Sequence, residues 1–160
     1  MKFATDPALP IMLPLKLAHR TLGDLLLATE ALLLLSLFRA CLTLFPVRHI
    51  LGAITANRSA GVNADATPVQ QATAIARALR VRWAIEAVTR NSIARFVCLP
   101  QALAGYTMLR LRRIPGTMVF GVARSPAGQL IAHTWLLTLG ERIVLGGNGS
   151  AAFTPISHWA

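Results

Sequence analysis

Apolar positions dominate the first third of the chain, and their period changes twice downstream. Residues 1–15 are punctuated by Pro7, Pro10 and Pro14 and read as irregular. From Leu17 to Ala40 leucines recur with only Arg20, Asp24, Glu30 and Arg39 among them as charges. This helix-compatible run meets Pro46, which stops it because proline lacks the backbone donor and clashes with the preceding turn. Val47–Ile54 is a second, short apolar segment. Residues 57–68, NRSAGVNADATP, have the Asn/Gly/Asp/Pro content of a linker. Thr67-Pro68 predicts a helix entry, with Thr67 as N-cap and Pro68 in the first helical position. In the helix that follows, Ala72, Ile75, Ala76, Leu79, Trp83 and Ala87 form one stripe of a 3.6-residue period. Arg77, Arg80, Arg82 and Arg90 lie mostly off it.

Beyond Phe96 the pattern shifts. CLPQALAGYTMLRLRR (98–113) predicts a helix that tolerates Pro100 in its first turn and ends at Ile114-Pro115-Gly116. Residues 117–123, 129–139 and 142–146 are rich in β-branched and aromatic side chains and predict three strands. Arg-Ser-Pro-Ala-Gly (124–128) and Gly-Glu (140–141) supply the hairpin turns. The tail, GNGSAAFTPISHWA, reads largely as coil. Helices followed by an antiparallel meander define an α+β arrangement. Its expected parts are an N-terminal helical region (1–56), the linker (57–68) and a core (69–160).

Composition narrows the classes. The chain has 160 residues, 54% hydrophobic and only 14% charged, which excludes a disordered or fibrous protein. Lys and Arg number 16 against 6 Asp and Glu, a formal charge of +10. Such an excess favours acidic partners. Nucleic acid is a weak candidate among them, since the arginines are scattered, one Tyr and six Phe are present, and no binding motif appears. A mean hydropathy of +0.55 raises the question of a membrane. Yet the longest uncharged runs, Ala31–Phe38 and Ala40–Val47, have eight residues each, against roughly 20 for a spanning helix. A buried helix is the expectation; one lying on a membrane surface and one crossing it are the alternatives. The opening MKFATDPALPIMLP does not follow a secretory signal. Two cysteines build no disulfide framework, so a cytoplasmic location is expected.

Few residues could carry chemistry. His19, His49, His133 and His158 are dispersed, so neither a metal nor another cofactor is expected. GGNG (146–149) follows a strand and reads as a turn, not a phosphate loop. After Glu86 the only acid is Glu141, which leaves no carboxylate pair. Cys98 stands out because it opens a helix. The positive end of the helix dipole and free N–H groups there favour a thiolate and can bind an oxyanion. Cys41, inside a helix between Ala40 and Leu42, reads as a core residue. His133 lies within the apolar strand LIAHTWLL, either as a hydrogen-bonded core histidine or as the base that takes the Cys98 proton.

The stretch 98–135 resembles the transglutaminase-like leader peptidases of lasso-peptide biosynthesis. Cys98, Leu99, Ala102, Leu103 and Ala104 fit the family's Cys-Leu-x-x-Ala-Leu-Ala, and Arg112, Arg113, Ile114 and Pro115 approximate its Leu-Arg-Arg-x-Ile-Pro turn. Gly121 and Val122 fit its short strand, and Ala132, His133 and Trp135 its Ala-His-x-Trp. The Leu-rich preface ending in Phe45–Arg48 is also similar. The resemblance implies a papain/transglutaminase-like core, a Cys-bearing helix packed on a small antiparallel sheet. It also implies a thiol protease that removes the leader from a ribosomally made precursor peptide. A separate leader-recognition protein and a macrolactam synthetase would be partners, and a weak contact with a membrane surface is a further expectation.

The chain departs from the family in carrying Thr134 after the histidine and Leu137 two residues beyond Trp135. It also lacks the acid that normally completes the triad on the next strand. Asn148, Glu141 or no side chain at all are the alternatives for orienting His133. Gln101 is a candidate for the oxyanion site, and Trp135, of the same strand parity as His133, is expected to pack beside the imidazole. The missing acid also keeps open a catalytically weak scaffold that presents the precursor to other enzymes.

Overall fold

The computed structural model describes residues 21–55, 67–92, 97–138, 142–147 and 150–159. Four helices come first: α1 (Leu22–Leu44), α2 (Val47–Thr55), α3 (Pro68–Asn91) and α4 (Cys98–Leu111). Strands β1 (Gly116–Arg124), β2 (Leu130–Thr138) and β3 (Arg142–Leu145) follow, then a 3₁₀ turn (Ser150–Ala152) and β4 (Thr154–Trp159). The four strands form one antiparallel sheet in the order β3-β2-β1-β4. The α+β expectation holds.

Local chemistry fixes the helix ends. Thr21 caps α1, its hydroxyl accepting from Asp24 N–H at 3.3 Å. Thr67 and Gln70 form a reciprocal capping box at the start of α3, with Pro68 just inside, as the Thr67-Pro68 step predicts. At the end of α4, Ile114 N–H bonds Leu109 C=O and Arg113 N–H bonds Arg110 C=O, a Schellman closure. Arg113 occupies the left-handed position at φ 56°, where glycine is usual. Ser125 and Gly128 close the β1–β2 hairpin, while the predicted turn at 140–141 and linker residues 57–66 lie outside the described residues.

Helix α4 is the centre of the molecule. Ala102, Leu103, Ala104, Gly105, Tyr106, Met108 and Leu109 are all buried. One side of α4 meets α1 and α3, and the other meets β1, β2 and β3. A Cβ at Gly105 would lie 2.4 Å from Leu145 Cδ1 and 2.9 Å from Leu136 Cδ2, so this glycine sets how closely α4 approaches the sheet. Two ion pairs tie α1 down. Arg112 grips Glu30 with both Nη atoms at 3.0 and 2.5 Å, and Arg80 meets Asp24 at 2.7 Å. The Arg80 guanidinium, with help from the Thr21 hydroxyl, holds the Asp24 carboxyl below its ordinary range. Because that carboxyl's folded pKa is depressed, this tie is fully present above the ordinary aspartate value and is lost as pH falls through the folded one.

Three expectations need correction. Helix α1 was expected to be buried, but only the face bearing Leu27, Ala31, Leu35 and Phe38 is. Leu22, Leu25, Leu26, Leu33, Leu37 and Leu44 are exposed. The helix has the length and apolar content to cross a membrane, while its inner face belongs to the core. In α3 the buried residues are Ala74, Ala78, Val81, Ala84, Ile85 and Ala87, so Ala87 of the predicted stripe is buried whereas Ala72, Ala76 and Leu79 are exposed. Apolar residues surround α3 on both candidate faces, and the alanine-rich face wins because small side chains let it lie close to its neighbours. Finally, the tail is not all coil. Residues Thr154–Trp159 pair with β1 at the far edge of the sheet. Pro155 hides this strand in the sequence, since proline is tolerated only where a strand has a free edge or a bulge, and the register does shift between Phe120 and Gly121.

These placements predict opposite outcomes two residues apart on α1. Leu35 is 0% exposed and Leu33 is 65% exposed. Leu35→Ala should lower unfolding stability by about 2–5 kcal/mol in urea titrations, whereas Leu33→Asp should leave it within about 0.5 kcal/mol. In the same assay Arg113→Gly should stabilise by about 0.5–1 kcal/mol by relieving the left-handed backbone.

Candidate active site

Cys98 is the first residue of α4, and its N-cap, Val97, supplies no side-chain hydrogen bond to the helix start. Pro100 has no N–H, so the donors of this uncapped first turn are those of Cys98 and Leu99. Cys98 and Gly105 are seven residues apart, about two turns, and therefore share a helix face. That face is the one pressed toward Leu136 and Leu145.

His133 sits on β2 opposite Gly121. Strand parity turns Thr134 and Leu136 with Met118 toward α4, and turns His133 with Trp135 to the other face. Strand β3 stops at Leu145, which pairs with Leu136, so no β3 partner flanks β2 at His133. At this open edge His133, Gly146, Thr134 and Leu145 join Cys98, Gln101 and Ala102 around a cavity of about 210 Å³. A second cavity, about 480 Å³, shares Gln101, His133, Leu145 and Gly146 and runs to Arg82, Glu86, Thr89 and Arg90 of α3. The cavities together describe a cleft between α3 and the β2–β3 edge, with the thiol at one end.

The imidazole is held on three sides. Its Nε2 lies 2.7 Å from the Gly146 carbonyl oxygen. Trp135 stacks with it at 6.0 Å between ring centroids, as the parity argument predicts, and Phe153 flanks it at 5.1 Å. Trp135 has room because Gly121 lacks a side chain: a Cβ there would come within 2.7 Å of the indole. A carbonyl only accepts, so the Nε2 bond requires the proton on Nε2 and leaves Nδ1 as the basic nitrogen. No hydrogen bond links Cys98 Sγ to the ring in this geometry. Catalytic contacts of this kind are often long before substrate binds and tighten in the complex.

The sequence-predicted Cys98, His133, Gln101 and Trp135 thus converge. Asn148 and Glu141 lie outside the described residues. Gly146 and Phe153 were missed. The first acts through its main chain and has no side-chain signal, and the second lies in the tail read as coil. Among the described residues no group of three His, Cys, Asp or Glu side chains is arranged to hold a metal.

Residues 41–158 match the family described as the transglutaminase-like superfamily. The chain belongs to that superfamily. The matched span runs from the last turn of α1 into β4 and contains both Cys98 and His133. Members of the transglutaminase-like superfamily commonly have cysteine peptidase or acyltransferase activity. No curated protein and no solved structure matches this chain.

The two thiols should separate in a simple assay. Cys98 opens onto the cavity beside an imidazole, whereas Cys41 packs against the core from inside α1. Iodoacetamide at neutral pH should modify Cys98 about tenfold faster or more, read by peptide mass spectrometry, and His133→Ala should remove most of the difference.

Proposed function

We propose that this chain is a cysteine peptidase that removes the leader from a ribosomally made lasso-peptide precursor. The observation that carries the reading is a helix-start cysteine and a ring-locked histidine on one cleft, in a chain whose 98–135 stretch has the leader-peptidase pattern. An extended precursor segment enters between α3 and the β2–β3 edge, with its scissile carbonyl over Cys98. Nδ1 of His133 takes the Sγ proton, and the sulfur attacks the carbonyl carbon. The oxyanion meets the N–H groups of Cys98 and Leu99, with the Gln101 side chain beside them. The tetrahedral intermediate collapses to a thioester as the imidazolium returns its proton to the leaving amine. Water, deprotonated by the same ring, then hydrolyses the thioester.

Arg82 and Arg90 outnumber Glu86 along the cleft, which suits an acidic leader. Leader capture falls to a separate recognition protein, and the freed core passes to a macrolactam synthetase. The leucine-rich outer face of α1 gives such partners an apolar surface, and in the cytoplasm it also permits weak contact with a membrane. No nucleic-acid role is assigned.

With the precursor and the recognition protein present, Cys98→Ala should abolish leader removal at unchanged circular dichroism, and Cys41→Ala should retain more than about half the parental rate. Cleavage persisting in Cys98→Ala, or equal loss from both substitutions, sinks the thiol-peptidase reading in favour of the scaffold. Acyl transfer to an added amine in place of hydrolysis would reassign the reaction within the superfamily.

A further inference from the structure

We propose that the main-chain carbonyl of Gly146 is the group that orients His133 for proton transfer, in the position where a side-chain carboxylate or carboxamide ordinarily stands. The inference rests on the Cys98–His133 chemistry proposed above and adds to it a positioning group with no side chain. Three observations carry it. The Nε2 to oxygen distance of 2.7 Å is that of a well-formed hydrogen bond. A carbonyl fixes the tautomer unambiguously, since it cannot donate, whereas an amide side chain can flip and serve either tautomer. And the carbonyl is itself immobilised. Gly146 has φ 72°, directly after Leu145 leaves the sheet, and a Cβ there would lie 2.8 Å from the Thr134 carbonyl oxygen and 3.1 Å from Trp135 Cβ.

No L side chain fits that position without moving the β2 backbone that carries His133. The acceptor and the ring are therefore built on the same few residues. Trp135 and Phe153 flank the imidazole on two further sides and leave its cavity side open toward Cys98. During catalysis Nδ1 gains the Sγ proton and later gives it up, while Nε2 keeps its own proton throughout. A neutral acceptor stabilises the imidazolium less than a carboxylate does. The site therefore gains ring orientation from Gly146 more than charge compensation.

The test uses the full chain labelled with ¹⁵N-histidine, with His133 assigned from the resonance lost in His133→Gln. The expected spectrum has Nε2 protonated and Nδ1 bare in the neutral ring. The same tautomer, and a Cys98 alkylation rate within about twofold of parental, should survive the double variant Glu141→Ala/Asn148→Ala. Gly146→Ala should mix the tautomers and slow Cys98 alkylation by about tenfold or more. Should that variant not fold, the parent and the double variant decide alone. A parental Nδ1–H tautomer would overturn the proposal, and so would loss of the tautomer or of tenfold reactivity in the double variant. Because iodoacetamide stands in for no particular peptide, failure of the parent to cut a precursor would count against the leader-peptidase reading and leave this result standing.

Discussion

The distance between α4 and the sheet controls everything at the site. Gly105 permits contact at a separation that any side chain would widen, and Leu136 and Leu145 fill the space it leaves. Two turns away on the same face is Cys98, so the height of α4 above β2 and β3 also sets the height of the sulfur. One residue past Leu145 is Gly146, and three before Leu136 is His133. The same two leucines that seat the helix thus stand next to both groups that define the histidine. A shift of α4 along its axis would move the thiol while leaving the imidazole and its acceptor in place. Core packing and site geometry here are one constraint, and the buried surface of α4 combines small residues with Leu103, Met108, Leu109 and Tyr106, none of them β-branched.

How much of this was legible in the sequence depended on whether a residue announces its role by type. Thr67 and Pro68 do, because few residues satisfy a helix start, and the capping box stands where they predict. Cys98 and His133 stand out through their neighbours and the Arg112–Pro115 turn, and the fold brings both to one cavity. The buried face of α3 was not legible, because alanine is compatible with either face and only the partner surface chooses. Strand β4 was hidden by Pro155, whose local meaning is breakage and whose actual place is an edge. Gly146 is the clearest case. The sequence showed a glycine in a turn, which is correct, and could not show that the carbonyl of that turn points at a histidine, since every residue has one.

Charge is distributed with similar economy. Each acid among the described residues is engaged by an arginine: Asp24 by Arg80, Glu30 by Arg112 and Glu86 by Arg82. Two of these pairs join α1 to α3 and to the end of α4, so they locate the helical layer, while the third lies along the cleft. Arg90 of α3 lines that cleft beside the third pair, and the excess of positive charge there raises the local concentration of acidic chains before any specific contact forms.

The one-sided burial of α1 has a consequence for the protein as a colloid. A row of exposed leucines on a body of charge +10 sets two opposing forces between copies. At low ionic strength, like-charge repulsion extends tens of ångströms and keeps those rows apart. Near physiological salt the screening length falls to roughly 8 Å, short enough for the leucine faces to meet before the charges oppose them. Added salt, which commonly disperses basic proteins by loosening their hold on acidic contaminants, would here bring the chains together.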